Sequence, residues 1–298
     1  MPVDGDGAKR AAERRRMVTH WRPQWRPWRR KLNVSPPVIA DEAEGFDQYV
    51  VDYPSAQNAV DLVPGWSTAL PDWHGVRAGA IATYNDHRIA WALEQFGCVQ
   101  GKSVLELGPL EAGHTYMLEK AGASVEAIES NKLAFMRCLI FKEICGLTRS
   151  RFLLGDFVKW LDACDKTYDL IVASGVLYHM KDPLGLLERI AARAPAAFFW
   201  THVLSEKDMP PGDPRRAVFA AEPEIVDFHG ARVRAYRRTY LNAQINPAFC
   251  GGPEDEHRWL VREDLIDALR ALGFTDIRQA HYQPNHQFGP AVCIFVKK

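Results

Sequence analysis

Val104-Leu105-Glu106-Leu107-Gly108-Pro109-Leu110-Glu111-Ala112-Gly113 decides how the rest of this 298-residue chain is read. The run Ser103–Leu107 has the length and apolar content of a buried strand. It ends at Gly108, where a backbone can turn sharply and come close to a ligand. Beyond the loop, Gly113–Ala121 is helical in pattern. A strand that passes through glycine into a helix is the opening of a βαβ unit, and the flanking sequence continues the alternation.

Downstream, Ser124–Ile128 reads as a second strand and Lys132–Ile144 as a helix ended by Gly146. Arg151–Leu154 is a third strand and Tyr168–Ser174 a fourth. Pro183–Arg193 is the next helix and Ala197–Val203 a fifth strand. This alternation predicts a parallel sheet covered on both faces. Residues 204–258 break the rhythm with prolines and charges, and are read as an insertion over the carboxyl ends of the strands, where open α/β sheets bind ligands. A helix over Arg262–Leu272, closed by Gly273, and two strands near Thr275–His281 and Ala291–Val296 complete the domain. Upstream, residues 79–96 read as one amphipathic helix, with Ile81, Ile89, Leu93 and Phe96 apolar and Gly97 stopping it.

The chain therefore divides into a basic arm (1–37), an irregular lead-in with short helices (38–78) and an α/β domain (79–298). Residues 1–31 hold ten Lys/Arg against three Asp/Glu, a net of +7, while the remainder holds 27 against 34, a net of −7. The acidic body argues against a nucleic-acid surface across the whole protein. The arm interleaves Trp21, Trp25 and Trp28 with arginines, which would let it touch phosphates or an anionic membrane, although its composition also fits a solvated tail. No apolar run approaches the ~20 residues of a membrane span, and no apolar segment follows the arginines as in a secretory signal. Six cysteines lack a C-x-x-C pair, so reduced thiols in a cytoplasm are the simplest expectation. The oligomeric state has no signal in the sequence.

Four features fall at successive strand ends. Glu106 and the loop with Gly108, Pro109 and Gly113 follow the first strand. Glu129 closes the second, where a carboxylate can accept both hydroxyls of an adenosine ribose. Asp156 and Phe157 follow the third, placed to accept from an adenine amino group and to pack on its ring. Ser174 is the polar tip of the fourth. Each has a plain structural alternative: a solvated strand end for Glu129, a helix N-cap for Asp156.

Taken together, Glu106, Gly108, Glu129 and Asp156 resemble the class I methyltransferase family, in which an acidic residue and spaced glycines wrap the methionine part of S-adenosylmethionine. An acid after the second strand holds the ribose there, and an Asp after the third holds the adenine. Leu110 and Ala112 stand where the family has glycine, and Gly113 comes one place later. The string Gly175-Val176-Leu177-Tyr178-His179, followed by Asp182-Pro183, is similar to that of several bacterial class I methyltransferases, the tRNA wobble-uridine carboxymethyltransferases among them. The resemblance covers about residues 79–200. It implies a Rossmann-like, mostly parallel seven-stranded sheet with helices on both faces, and S-adenosylmethionine as cofactor.

Transfer of a methyl group to a hydroxyl needs a base in the transition state or a metal that acidifies the hydroxyl. His179, just past the fourth strand, is the first candidate base, and His202, at the mouth of the fifth, is the second. Either could instead be a histidine satisfied by backbone. Together they could share a divalent metal, but no third ligand is evident, so no metal site is assigned. Tyr178 adjoins the first candidate. The insertion offers Arg237, Arg238 and Tyr240, then His257-Arg258-Trp259, and His286 lies in the turn before the last strand. Aromatic and guanidinium groups suit a sugar or an anionic acceptor. Arg88, on the lead-in helix with Asp86, could reach the cofactor carboxylate or form a local ion pair. The reading is an O-methyltransferase acting on a small molecule such as a carbohydrate or natural product. A tRNA methyltransferase ranks below it because the body is acidic. An NAD-dependent oxidoreductase ranks lower still, because Gly108 and Gly113 do not supply G-x-G-x-x-G.

Overall fold

The computed structural model describes residues 49–245 and 251–298; the basic arm and residues 38–48 of the lead-in lie outside them. Residues 52–298 form one compact unit. Its centre is a seven-stranded sheet. Strands β1 (Ser103–Leu107), β2 (Ser124–Glu129), β3 (Ser150–Leu154), β4 (Leu170–Ser174) and β5 (Ala196–His202) are parallel. The hairpin β9 (Asp276–Gln283) and β10 (Ala291–Lys297) adds to the β5 edge with β10 antiparallel to both neighbours. The spatial order is β3-β2-β1-β4-β5-β10-β9. This is the Rossmann-like sheet expected from the alternation. It departs from the dinucleotide-binding order 3-2-1-4-5-6 in the antiparallel strand inserted beside β5.

Near-continuous burial of β1, β4 and β5 follows from cover on both faces. One core layer gathers Leu105, Leu107, Ile171, Phe199, Leu187 and Leu269, and the other gathers Val104, Val172, Phe198, Phe141 and Ile89. The covering helices are α2 (His87–Phe96), α3 (Gly113–Lys120), α4 (Lys132–Cys145), α5 (Phe157–Ala163), α6 (Pro183–Arg193) and α7 (Arg262–Ala271); α1 (Ala56–Leu62) lies in the lead-in. Helix α4 is capped by Asn131, whose side chain accepts from the Ala134 amide, and ends at Gly146 in the left-handed conformation.

Three expectations are corrected. The helix read over 79–96 begins only at His87: Thr83–Asn85 is a 3-10 turn, and the Asp86 side chain caps α2 by accepting from the Arg88 amide. The short helix α5 was absent from the sequence reading, because its seven residues are too few to show a helical period. The insertion 204–258 is a three-stranded antiparallel sheet, β6 (Glu224–Phe228), β7 (Ala231–Thr239) and β8 (Glu256–Leu260), rather than irregular cover. Its signal is a period of two in β7, where buried Val233 and Ala235 alternate with Arg232 and Arg234. The Arg258 amide donates to the Met180 carbonyl, and Leu204 bonds to Leu260, so this sheet rests against the carboxyl ends of β4 and β5.

Candidate functional site

Between β1 and β4 the chain order reverses, which opens a crevice at the carboxyl ends of the strands. The loop from Gly108 to Ala112 forms one wall. Gly108 (φ 63°), Leu110 (φ 56°) and Ala112 (φ 65°) all adopt left-handed backbone. Leu110 and Ala112 thus hold a conformation that glycine adopts freely, at a cost of roughly 1–2 kcal/mol each. Neighbouring groups hold the loop there. Buried Glu111 accepts from the Ser67 and Thr68 amides and from Arg137 at 3.0 Å, which straps the lead-in to the loop. Gly113 does not face the crevice: a Cβ there would sit 1.9 Å from the Thr83 hydroxyl, so its smallness serves packing against the lead-in. Pro109 is buried, and its carbonyl accepts from the Glu111 and Ala112 amides.

Glu129 ends β2 beside this loop. One of its oxygens accepts from the Leu110 amide (3.1 Å) and the other from the Asn131 amide (2.8 Å). The Ser130 amide also bonds to this carboxylate, which offers about four acceptor positions, so capacity remains for a hydroxyl donor. Burial raises its pKa, partly offset by those amides. Glu106 is 2% exposed; the Thr115 hydroxyl donates to it and His114 Nδ1 lies 4.0 Å away. Burial raises its pKa too, against the pull of His114 and Thr115. His114 Nε2 also lies 2.9 Å from Asp86, which pairs with Arg88. Burial alone would raise the Asp86 carboxyl, but the hydrogen bonds and charges of His114 and Arg88 hold it well below the usual carboxylate range. Arg88 is therefore committed to Asp86, with its guanidinium 4.4 Å from the Trp200 ring centre. This relay from Arg88 through Asp86 and His114 to Glu106 joins segments 20 residues apart, and only the Asp86–Arg88 pair had a local signal.

Asp156 caps α5 by accepting from the Val158 amide (2.8 Å), which leaves its second oxygen free for a ligand. Phe157 is half-buried and packs against the core beside it. Ser174 Oγ is buried at the end of β4 with no hydrogen-bond partner among the described residues. A buried hydroxyl without a partner is costly, and a ligand in the crevice would satisfy it. Opposite it, a Cβ on Gly108 would lie 3.3 Å from Val176, so the loop walls approach closely.

The β4–β5 side has a different character. Tyr178 and His179 sit in a 3-10 turn after β4, with ring centres 4.0 Å apart. His179 Nδ1 is hydrogen-bonded to the Tyr240 hydroxyl, and the Tyr240 ring stacks on His257 at 3.8 Å. His202 lies flat on Trp259, 4.8 Å away and 7° from parallel, with Tyr178 and His286 edge-on to it. Its Nδ1 lies 3.0 Å from the Gly289 carbonyl and 3.3 Å from that of Pro290. Carbonyls only accept, so Nδ1 carries the hydrogen and Nε2 is the open lone pair. Burial, aided by His286 and Arg238 and opposed by the two carbonyls, lowers His202 to about 4. Burial and the charges of His257, His202 and Arg238 lower His179 to about 3. His257 falls to about 4 through burial and Arg238. All three are neutral near pH 7. Among the described residues, no three His, Cys, Asp or Glu side chains are grouped to hold a metal ion.

Arg237, expected to meet the acceptor, is exposed on β7. The strand period puts Arg238, not Arg237, on the face of Tyr240. Arg238 reaches His257 Nε2 at 3.2 Å and lies 5.1 Å from the Trp259 ring centre. Trp200 is the member of this cluster that the sequence left unassigned, and it stands 5.4 Å from the His202 ring.

No family model and no curated protein matches the chain. Solved structures do. The chain is similar to the N-terminal domain of EvdMO1, solved in the presence of S-adenosylhomocysteine (SAH) and D-fucose, with a TM-score of 0.60 and 21% identity over 81% of this chain and 94% of that one. The likeness to the longer EvdMO1 structure has a TM-score of 0.55 and 18% identity, and spans 81% of this chain but 46% of that one. The chain shares the Rossmann-like α/β fold of that domain.

Proposed function

We propose that this protein is an S-adenosylmethionine-dependent methyltransferase that methylates a hydroxyl of a small molecule. The observation that carries the reading is the pairing of two surfaces across one crevice. On one side, Glu129 keeps acceptor capacity beside a left-handed loop, and Ser174 Oγ has no hydrogen-bond partner among the described residues. On the other, His202 is held in a single tautomer with Nε2 free. The fold shared with the EvdMO1 domain, solved with SAH and D-fucose, supports it.

When bound, the cofactor supplies an electrophilic sulfonium methyl with a neutral thioether as leaving group. Glu129 would accept from the ribose hydroxyls and Asp156 from the adenine amino group, while Ser174 and the 108–112 backbone line the methionine end. His202 Nε2 would take the acceptor proton as the oxygen–methyl bond forms, and its Nδ1–H stays fixed on Gly289 and Pro290 throughout. The imidazole is neutral at physiological pH, so the lone pair is available without prior deprotonation. We place His202 above His179 because two carbonyls fix its tautomer, whereas the Tyr240 hydroxyl can either donate to or accept from His179 Nδ1. The ring walls Tyr178, Trp200 and Trp259 suit the apolar face of a sugar or an aromatic ring.

The test is incubation with methyl-labelled S-adenosylmethionine and a panel of hydroxylated sugars and phenols. The reading expects label in an ether product, and it expects His202→Ala to lose that label while SAH still binds. Absence of SAH binding to the wild-type protein would overturn it.

A further inference from the structure

Arginines in this molecule that leave the surface are generally paired. Arg137 meets Glu111, Arg234 meets Asp264 and Arg258 meets Glu224. Arg238 departs from this pattern. Among the described residues no carboxylate pairs with it. Its Nη1 donates to His257, while its Nε–H is buried with no acceptor among the described residues. The guanidinium is boxed by three rings, 5.1 Å from the centre of Trp259, 5.5 Å from Tyr240 and 5.6 Å from Phe219. Each ring presents its negative face to the cation and recovers part of the lost hydration. None of them accepts the Nε–H, and a buried cation without a counter-charge is costly.

The position of this cation is informative. His257, its hydrogen-bond partner, stacks on Tyr240, which holds His179, and Trp259 carries His202 on its face. Arg238 is therefore joined by direct ring contacts to both candidate bases. An arginine with one Nη occupied still presents its Nε–Nη2 edge, and that edge matches the two oxygens of a carboxylate.

We propose that Arg238 is the counter-ion of the methyl acceptor, and that the acceptor is an acid: a ring compound bearing a carboxylate, clamped on the Nε–Nη2 edge with its ring against the aromatic walls. This rests on the cluster being the acceptor side of the proposed methyltransferase. It also separates the acceptor from a neutral sugar, for which a buried unpaired guanidinium serves no purpose. A carboxylate beside Arg238 would neutralise the guanidinium's contribution to the lowered His202 pKa, which is set mainly by burial.

The experiment is calorimetric titration of the full chain with two matched pairs, D-glucuronate against D-glucose and 4-hydroxybenzoate against 4-hydroxybenzyl alcohol. A separate SAH titration reports on the methyltransferase reading independently. In at least one pair the acid should bind about tenfold or more tighter than its neutral partner, the size expected for charge-assisted hydrogen bonds. The pair that responds tells a sugar acid from an aryl acid. Arg238→Met should abolish the preference and leave SAH affinity unchanged. Arg238→Lys, which keeps the charge but loses the fork, should retain only part of it and serves if the Met variant does not fold. Equal or absent binding of acid and alcohol in both pairs, a preference that survives Arg238→Met, or a loss of SAH affinity in that variant would overturn the proposal.

Discussion

The two halves of the crevice are built from opposite materials. At the ends of β1, β2 and β3 the polar groups are acids: Glu106, Glu129 and Asp156, each held by a hydroxyl or by backbone amides. At the ends of β4 and β5, and on β8 beside them, they are nitrogen bases among aromatic rings, with His179, His202 and His257 all pushed far below their ordinary pKa by burial. The acidic half offers fixed acceptors to a ligand whose donors are known in advance. The basic half keeps imidazoles neutral and an arginine unpaired, which suits proton removal and an anionic partner.

The largest expected effect is on stability against pH, and it tells the halves apart by sign. The three histidines have folded pKa values of about 3, 4 and 4 against an ordinary 6.5, so between pH 6.5 and 4 the unfolded chain binds protons that the folded chain refuses. Stability is fully present above pH 6.5 and falls as the pH drops, by at most ~1.4 kcal/mol per pH unit per histidine. Glu106 and Glu129, with raised pKa values, act the other way and lend stability as they protonate. Thermal unfolding from pH 7.5 to 4.5 should show a falling midpoint, flattened in His257→Phe. A His257→Phe midpoint that falls with pH as steeply as that of the wild type would mean that His257 is not buried as a neutral group.

Second in size, His202→Ala should lower methyl transfer by ~10²- to 10⁴-fold, the usual worth of a positioned base. Its SAH affinity should stay at the wild-type value. Coupled loss of both would show that the halves do not act separately.

Third, Gly113→Ala forces a Cβ into Thr83 and should cost ~1–3 kcal/mol by overpacking. Chemical denaturation measures this. A neutral result would mean that the lead-in is not strapped to the loop as described.

The smallest effect concerns the left-handed loop. Leu110→Gly removes strain but adds unfolded-state entropy, so stability should change by no more than about 1 kcal/mol. A loss well beyond that would assign the Leu110 side chain a packing role that its backbone conformation does not require.

The acidic half was legible in the sequence because its determinants are local. Glu106, Gly108, Glu129 and Asp156 each end a strand, and strand ends can be found from apolar runs alone. At Leu110 and Ala112 the left-handed loop is held by Glu111 and Glu129, which bond to the lead-in and to the Leu110 amide. Asp156 joins both readings, since capping α5 occupies only one of its oxygens. The basic half was legible only in parts. His179, His202, Tyr240, His257 and His286 could be named singly, but they meet through a sheet whose strands are separated by turns and long connections. Which of Arg237 and Arg238 faces inward depends on β7 being a strand, and treating 204–258 as irregular cover hid that parity. The relay from Arg88 to Glu106 depends on α3 packing beside the lead-in, a contact that no periodicity reports.

The central claim is that the acidic half holds an adenosine through Glu129. Calorimetric titration of SAH into the wild-type protein and into Glu129→Ala tests it most directly. The account predicts saturable one-to-one binding to wild type, weakened by ~10- to 100-fold in the variant, as expected for losing charge-assisted hydrogen bonds to the ribose. Absence of SAH binding to wild type, or equal affinity in the variant, would contradict it.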